Sequence, residues 1–390
     1  MNFFSSYLEY NKGNEVNPAY HLWTAHSVLS SCVSRHVWLD LGYFTIYPNL
    51  YVVLLGPAGN GKSTALSSGY RMCEQIGNIP LSADCQSPED MVKMLARDEA
   101  QQAFVGPDGP VIYTHLSLFV QELSNLIMID PEKMLDFFVT IYDRDERYTR
   151  RTLKHGEQVI TRPCVCLAAC TVPDWISKYL KTDIITGGFT RRTCFVMEDY
   201  SDRRVPFPLV TQEQHCEWDK CVAWGKQLQA LAGPFHMEEA AKKWWETWYT
   251  KRSIVKDQNV SSFDKTRPTL VLKLAILRHL STSLELVLLK DDLELALELT
   301  DTLMKRLPDV FGCLGRNELA QVGQKLLSYL NKVGGAAPEK ELLGLLWKDA
   351  TPAETMTIIQ QLINQNQLVR IPAVPGKIAR TMLALNTQQL

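Results

Sequence analysis

The sequence predicts a mixed α/β protein with a mostly parallel β-sheet flanked by helices. Short apolar strand patterns alternate with helical patterns from residue 50 to residue 198, and this alternation favours parallel strands joined by crossover helices. Within it, the apolar residues 50–55 are followed by a glycine-rich stretch and then by a helical pattern. A strand, a loop and a helix therefore follow directly on one another.

The glycine-rich stretch matches the pattern G-x-x-x-x-G-K-[ST] in full. Gly56 and Gly61 allow main-chain N–H groups to approach anionic oxygens, and Lys62 adds a positive charge at the β- and γ-phosphates of a nucleotide. Ser63 would ligate Mg²⁺, and the positive end of the following helix would face the same site. The pattern predicts a phosphate-binding loop, or P-loop, made of Gly56, Pro57, Ala58, Gly59, Asn60, Gly61, Lys62, Ser63 and Thr64.

Two later strand patterns end in polar residues that are catalytic candidates. The apolar run before Gln121 and Glu122 predicts a strand whose end faces the γ-phosphate, where Glu122 would orient water and help to hold Mg²⁺ indirectly. Gln121 stands where an aspartate is common, so it is undecided which residues besides Ser63 hold the metal. The alternative is that Glu122 has no catalytic role and only happens to follow a buried strand. The next strand pattern ends at Thr171, which either senses the γ-phosphate or caps a helix that begins at Pro173.

A basic segment lies between these two strand patterns. It turns at Gly156 and predicts a hairpin with one basic face, which would neutralise the phosphates of single-stranded DNA. Alternatively it is a solvated hairpin whose arginines pair with Asp143, Asp145 and Glu146. The predicted DNA-binding residues are Arg144, Arg147, Arg150, Arg151 and Lys154.

Arg191 and Arg192 follow two glycines and precede the last strand pattern of the core. An arginine presented from such a short element can stabilise charge on the γ-phosphate of a nucleotide held by a neighbouring molecule. The alternative is a structural ion pair with Glu198 or Asp199.

Length and composition limit the remaining choices. With 390 residues, 46% hydrophobic and 22% charged, the chain is long enough for two or three domains. Its net charge of −2 excludes a generally basic nucleic-acid coat. No apolar run approaches the roughly 18 residues of a membrane span, and the start lacks a signal peptide, so we expect a cytoplasmic protein without membrane contact.

Two groups of residues have structural and functional interpretations. The ten cysteines include no C-x-x-C pair and predict reduced core thiols, with metal binding as the alternative. Trp244, Trp245, Trp248 and Tyr249 recur at helical spacing, which favours a place in the core over a base-stacking platform.

The chain is predicted to have four segments. The last one reads helix, turn, helix, capped helix and two strands, which is the order of a winged helix-turn-helix. Its third helix, residues 352–366, has no lysine or arginine, so the segment either contacts DNA through flanking cations or docks a protein. The segments are an N-terminal helical segment (1–45), the P-loop core (46–210), a helical, lid-like domain (211–315) and the winged helix-turn-helix (316–390).

Over residues 15–310 the chain resembles the phage- and plasmid-encoded P-loop ATPases described as primase-helicase-associated or helicase-like. The resemblance depends on blocks at residues 38–44, 48–64, 121–123, 169–175 and 187–192. It implies a RecA/AAA+-like core, ATP and Mg²⁺ as cofactors, hydrolysis at a subunit interface, and a homo-oligomeric ring with a hexamer favoured. It also implies work on DNA during phage or mobile-element replication in the bacterial cytoplasm. Arg192 matches the family arginine, whereas Arg191 is variable.

Two functions agree with these features. The first is a ring-forming ATPase, helicase-like, that moves on or remodels DNA, with Lys62, Ser63, Glu122 and Thr171 acting on ATP and Arg192 acting between subunits. The second is a nucleotide-switched assembly or loading factor that delivers another replication protein to DNA without separating its strands.

Overall fold

The structure, a computed structural model, divides into two compact units. Unit 1 comprises Met1–Cys313 and unit 2 comprises Leu314–Leu390. The residues described are 1–82, 87–144, 146–152, 156–173, 175–176, 188–253, 255, 258–312, 318–346, 350–372 and 381–386. Unit 1 includes the segments predicted as 1–45 and 46–210 together with residues 211–313 of the predicted helical domain.

Unit 1 begins with two helices that pack beside the central sheet. Asn17 caps the second helix by accepting a hydrogen bond from the Ala19 N–H, and Pro18 occupies its first turn, where a missing N–H costs nothing. The elements up to the core are α1 (Phe3–Asn11), α2 (Pro18–Val33), β1 (Val37–Asp40) and β2 (Thr45–Ile46).

The core contains alternating strands and helices, as the sequence predicts. Its elements are β3 (Tyr51–Leu55), α3 (Lys62–Ile76), β4 (Leu81–Ser82), α4 (Pro88–Leu95), β5 (Gln101–Gly106), β6 (Gly109–Val120), α5 (Leu123–Ile127), α6 (Pro131–Tyr142), β7 (Arg147–Thr152), β8 (Gly156–Thr161), β9 (Pro163–Thr171) and β10 (Thr193–Met197). The remaining elements of unit 1 are α7 (Gln212–Gln229), β11 (Gly233–Met237), α8 (Glu239–Lys251), α9 (Gln258–Leu280), β12 (Val287–Leu288) and α10 (Lys290–Gly312).

Among the described residues, six strands form the central sheet, in the order β10, β3, β9, β6, β4, with β5 paired to β6. All neighbours in that order run parallel, and only β5 is antiparallel. Every residue of β3 and of β9 is buried, as expected for strands covered by helices on both faces. The prediction of a mixed α/β protein with a parallel sheet is confirmed.

A second sheet was not predicted. It has the order β12, β11, β1, β2 and joins residues 37–46 to residues 233–237 and 287–288. The segments predicted as helical, 1–45 and 211–315, thus contain strands beside their helices. These strands have two to five residues each, too few for a strand period to stand out from the neighbouring helical patterns.

Unit 2 contains three helices and a three-stranded antiparallel sheet among its described residues. The elements are α11 (Glu318–Lys332), β13 (Ala336–Pro338), α12 (Glu339–Leu345), α13 (Pro352–Asn364), β14 (Leu368–Ile371) and β15 (Met382–Leu385), with the sheet order β13, β15, β14. Thr351 and Glu354 form a reciprocal cap at the start of α13. Leu326, Leu342, Ile359 and Leu383 are fully buried together in a core that belongs to this unit alone.

Across the described part of the chain, no helix is both long enough and apolar enough to span a membrane.

Candidate functional site

Three of the four predicted catalytic residues, Lys62, Glu122 and Thr171, lie at the carboxyl edge of the central sheet. Leu55, the last residue of β3, pairs with Thr171 at the end of β9. Val120 pairs with Ala169, so Glu122, two residues beyond Val120, lies at the level of Thr171. The chain leaves β3 toward β4 on one side and leaves β9 toward β10 on the other. Ligands of open parallel sheets bind at such a point, where neighbouring connections diverge.

The loop after β3 depends on two glycines with left-handed backbone conformations. Gly59 has φ of 78° and Gly61 has φ of 74°, which other residues adopt only with strain. At Gly61 an added Cβ would lie only 2.7 Å from Cγ2 of Val16. The loop then enters α3 at Lys62, and the first main-chain N–H groups of a helix have no partner within it. The loop therefore presents donors that an anion can satisfy.

Lys62 is held inside this loop. Its Nζ donates to the carbonyl oxygens of Gly56 and Pro57, both at 2.7 Å, and the residue is only 7% exposed. Burial lowers the pKa of Lys62, and Cys170 and Glu122 partly oppose that shift. Ser63 and Thr64, which follow it, are exposed. The ammonium thus lies on the inner side of the loop while the two hydroxyl residues face outward.

A side-chain network fastens the loop to its neighbours. The amide nitrogen of Asn60 donates to the Tyr20 hydroxyl at 3.0 Å and to the carbonyl oxygen of Glu198 at 3.0 Å. The Tyr20 hydroxyl in turn donates toward the carbonyl oxygens of Leu55 and Glu198. Tyr20 is fully buried, and burial raises the pKa of its hydroxyl, which keeps it a donor. This network ties the ends of β3 and β10 to α2.

No pattern in the sequence singles out Tyr20, and Asn60 is predicted only as a member of the loop. Tyr20 lies 36 residues before the loop, and its pairing depends on how α2 packs. No short-range pattern in the sequence indicates such a contact. Asn60 was identified through its position in the glycine-rich pattern, but its role as a clamp appears only in the fold.

Glu122 and Thr171 differ in exposure. Glu122 is exposed and immediately precedes α5, close enough to Lys62 to act on its pKa. Thr171 is 1% exposed. Gln121, which occupies the position where an aspartate is common, donates to the Ser67 hydroxyl of α3 at 2.9 Å. Gln121 therefore links β6 to the helix that follows the loop.

The main-chain donors and the ammonium of the loop are groups that bind phosphate oxygens, so these residues are compatible with a nucleoside triphosphate and Mg²⁺. The glycine conformations leave the outer side of the loop free of side chains at Gly59, where a Cβ would meet nothing within 4 Å. Ser63 is the hydroxyl that would reach the metal. Within the described residues, no group of three or more His, Cys, Asp or Glu is arranged to hold a metal ion, and Cys164, Cys166 and Cys170 are buried free thiols.

Arg192 lies at the opposite, amino-terminal edge of the sheet. The next residue, Thr193, pairs with Tyr51 at the start of β3, four residues before Leu55, a separation of roughly 13 Å along the strand. Its guanidinium contacts Oδ2 of Asp143 through Nε at 2.7 Å and NH2 at 2.6 Å. NH1 donates to the Gly188 carbonyl at 2.9 Å. The expected alternative pairing with Glu198 or Asp199 is wrong.

Those two acids have other partners. Asp199 pairs with Arg306 of α10 at 2.9 Å, and the Glu198 carboxylate accepts from Asn17 at 3.2 Å. Burial raises the pKa of Glu198. Both acids follow β10 at the carboxyl edge, whereas Arg192 precedes this strand, so the length of β10 separates them.

The predicted hairpin is present, but its cations do not share one face. β7 pairs with β8 from Arg147–Thr161 to Thr152–Gly156. Arg147 and Arg151 are exposed, whereas Arg150 is half-buried. Because neighbouring strand residues point to opposite faces, the prediction of one basic face with both Arg150 and Arg151 is wrong. Lys154 lies outside the described residues.

The acids that pair with these arginines also differ from those expected. Arg150 pairs with Glu89 of α4 at 2.7 Å, and Arg151 pairs with Glu157 across the hairpin at 2.9 Å. Glu146 pairs with Arg162 instead, at 3.5 Å. Asp143 is the partner of Arg192, and Asp145 lies outside the described residues.

The aromatic helix α8 has a surface position. Of its residues, only Ala241 is buried, and Tyr249 is 54% exposed. The rings of Trp244 and Trp248 are stacked with centroids 6.1 Å apart. The preference for a core position of these aromatic residues is therefore wrong.

No protein-family model matches the chain, and no curated protein matches it either.

Proposed function

We propose that the chain is an ATP-hydrolysing, ring-forming protein that acts on DNA as a helicase-like motor or remodeller. The observation that carries the proposal is the convergence at the carboxyl edge of β3, β6 and β9. There a glycine loop encloses the Lys62 ammonium, and register places Glu122 and Thr171 beside the same edge. Donors and a carboxylate at one edge are what phosphoryl transfer to water requires.

In this proposal each residue has one role. The N–H groups at the start of α3 and the Lys62 ammonium bind the β- and γ-phosphates. To do so, Lys62 would replace its two hydrogen bonds to loop carbonyls with contacts to phosphate oxygens. Ser63 would hold Mg²⁺, which when bound neutralises charge that develops on the phosphates. Glu122 orients the attacking water and accepts its proton. Thr171 hydrogen-bonds at the γ-phosphate end.

Arg192 is proposed to act on the nucleotide of a neighbouring subunit. The Lys62 loop of the same chain lies at the other edge of the sheet. Arg192 is therefore better placed for the site of a neighbouring subunit than for the site of its own chain. Arg191, which is exposed, lies beside it. A ring, with a hexamer as the favoured size, would place this edge of each subunit against the loop of the next.

DNA contact is proposed at two places. In unit 1 the exposed Arg147 and Arg151 of the hairpin would meet single-stranded phosphates. In unit 2 the order of three helices and a three-stranded sheet supports the winged helix-turn-helix interpretation. Its α13 offers amide side chains, Gln360, Gln361 and Asn364, for base edges.

The proposal is tested by steady-state hydrolysis and nucleotide binding. Lys62→Ala should abolish both, because it removes the charge at the phosphates. Glu122→Gln keeps the size of the side chain and its capacity for hydrogen bonds. This variant should therefore still bind nucleotide but no longer hydrolyse it. Lys265→Met, an exposed change on α9, is the matched control and should behave as wild type. Full turnover by the Glu122 variant would remove that residue from the role given to it.

A further inference from the structure

A cavity of about 300 Å³ lies at the amino-terminal edge of the central sheet, away from the Lys62 loop. Its walls come from residues 44–49, from the end of α6, from the start of β9 and from α9, all within unit 1. The volume is at the lower end of the range for small-molecule sites. It would hold a ligand with one phosphate group and one ring system, but not a triphosphate with its metal.

The inner wall of the cavity carries a buried ammonium group. Lys273 is 3% exposed. Its Nζ donates to Oδ1 of Asn49 at 2.7 Å and to the main-chain oxygen of Asn49 at 3.2 Å, and it lies 3.9 Å from the ring centre of Tyr142. All three of these partners are uncharged. Burial lowers the pKa of Lys273 to about 8, and the charge of Asp143 partly opposes that shift.

Asp143, the acid in the lining of the cavity, already pairs with Arg192. Asp143 receives two contacts from Arg192, at 2.7 and 2.6 Å, while Arg35 and Arg144 add two more cations to the lining. Arg35 is 5% exposed and donates to the Arg144 carbonyl at 3.1 Å. Lys273 and Arg35 are therefore two buried cations in the lining, and the hydrogen-bond acceptors of the Lys273 ammonium are uncharged. An anion at this wall would form charge-assisted hydrogen bonds with that ammonium.

The outer part of the cavity is aromatic. Tyr47 lies under the Arg35 guanidinium, with 3.7 Å from Cζ to the ring centre, and Phe44 at the rim is 55% exposed. Exposed aromatic rings beside cations are suited to stack a flat ring while its charged group goes deeper. The lining therefore has a deep cationic end and a rim for a planar group.

We propose that this cavity binds a phosphomonoester that carries a flat ring, with the phosphate against Lys273 and the ring at Phe44. A free nucleoside monophosphate and the phosphorylated end of a nucleic-acid strand share this chemistry. The site is separate from the Lys62 loop and does not require hydrolysis there.

Calorimetric titration of adenosine monophosphate and of inorganic phosphate tests the proposal, in full-length protein carrying Lys62→Ala. That background removes phosphate binding at the loop, so the outcome does not depend on the proposed ATPase. We expect both ligands to bind. Adding Lys273→Met should weaken both by roughly tenfold or more, and adding the exposed control Lys265→Met should leave both unchanged. Absence of binding at millimolar ligand, or binding unaffected by Lys273→Met, would overturn the proposal.

A second variant covers the case in which Lys273→Met does not fold. Phe44→Ala changes only the rim and should weaken adenosine monophosphate binding but not inorganic phosphate binding. Equal loss of both, or no loss, contradicts the assignment of the rim. Comparing oligothymidylate that carries a 5′-phosphate with its 5′-hydroxyl form distinguishes the two possible sources of the phosphomonoester. A preference for the 5′-phosphate that depends on Lys273 identifies the end of a nucleic-acid strand. Binding of the mononucleotide alone identifies a free ligand.

Discussion

Arg192 and Asp143 form an ion pair in which two guanidinium nitrogens, Nε and NH2, contact the same carboxylate oxygen at 2.7 and 2.6 Å. The pair fixes the arginine at the edge of the sheet remote from its own loop. In the proposed ring, Arg192 would have to leave Asp143 before it could reach a phosphate in a neighbouring subunit. Asp143, whose side chain is 50% exposed, is the group from which it would separate.

The first prediction concerns this arginine. Arg192→Ala should retain nucleotide affinity and lose about 10³-fold or more in turnover, the effect of removing an arginine that stabilises the transferring phosphoryl group. Mixing it with Glu122→Gln should restore part of the activity, because mixed interfaces pair an intact acid with an intact arginine. Arg191→Ala is the control and should matter less. A monomer that hydrolyses ATP normally at micromolar concentration would contradict a shared site.

The second prediction concerns the hairpin of β7 and β8. Replacing the two exposed residues, Arg147 and Arg151, with Ala should lower affinity for single-stranded DNA. The slope of log affinity against log salt should fall by about 1.4, that is, by 0.7 for each arginine that no longer neutralises a phosphate. Fluorescence anisotropy at several salt concentrations measures both. Arg150→Ala is the control, since Arg150 lies on the other, half-buried face of the hairpin, where it pairs with Glu89 of α4. If both variants changed the DNA affinity and its salt dependence equally, the hairpin would have a structural role only.

The third prediction concerns unit 2, which has a buried core of its own. A fragment of residues 316–390 should fold and bind duplex DNA in a salt-sensitive manner. Arg370 pairs with Glu339 at 3.1 Å, so Arg370→Ala should weaken this binding less than changes in the amide residues Gln360 and Gln361 of α13. If the folded fragment ignores DNA at low salt, docking of a protein becomes the better explanation.

The fourth prediction concerns stability and pH. Burial lowers the pKa of Lys273 to about 8 from an ordinary value of 10.5. Between these values the unfolded chain binds a proton that the folded chain does not, so the free energy of unfolding contributed by this group rises with pH across that window. The destabilisation of the folded state by the buried Lys273 charge is complete below about pH 8 and absent above about pH 10.5.

Lys273→Met removes this penalty, although it leaves Asn49 without its donor. The stability of wild type relative to the variant should increase by on the order of 3 kcal/mol between pH 7 and pH 10.5, because the folded and unfolded pKa values differ by roughly 2.5. Denaturant unfolding at the two pH values measures the difference. Asp143, Cys164, Cys166 and Arg192 act on Lys273 and are present in both proteins, and loss of the Lys273 charge in the variant also raises the pKa of Cys164. A constant difference would show that Lys273 titrates as an ordinary lysine.

The sequence was most informative where one short pattern determines both chemistry and conformation. The glycines of the loop after β3 need left-handed backbone angles, and Gly59 and Gly61 have them. The buried strands β3 and β9 appear in the sequence as continuous apolar runs, and the parallel sheet follows from their alternation with helices. Local patterns also predicted the hairpin and the cap of α13.

The sequence was least informative about pairings between distant segments. The alternative interpretation paired Arg192 with Glu198 or Asp199, but these acids lie at the other end of β10, and the length of that strand keeps them apart. Asp143 is 49 residues away along the chain and reaches Arg192 only through the packing of α6. The second sheet was missed for the same reason, since β1 pairs with β11 almost 200 residues later.

That pairing has a consequence for synthesis of the protein on the ribosome. β1 has its parallel partner in residues 233–235, and the main-chain N–H of Phe3 donates to the Ser281 carbonyl at 2.7 Å. Residues 3 and 37–39 therefore complete their contacts only after residues 233–281 have been synthesised. Strand edges and apolar surface that lack their partners during synthesis make a nascent chain prone to misassembly.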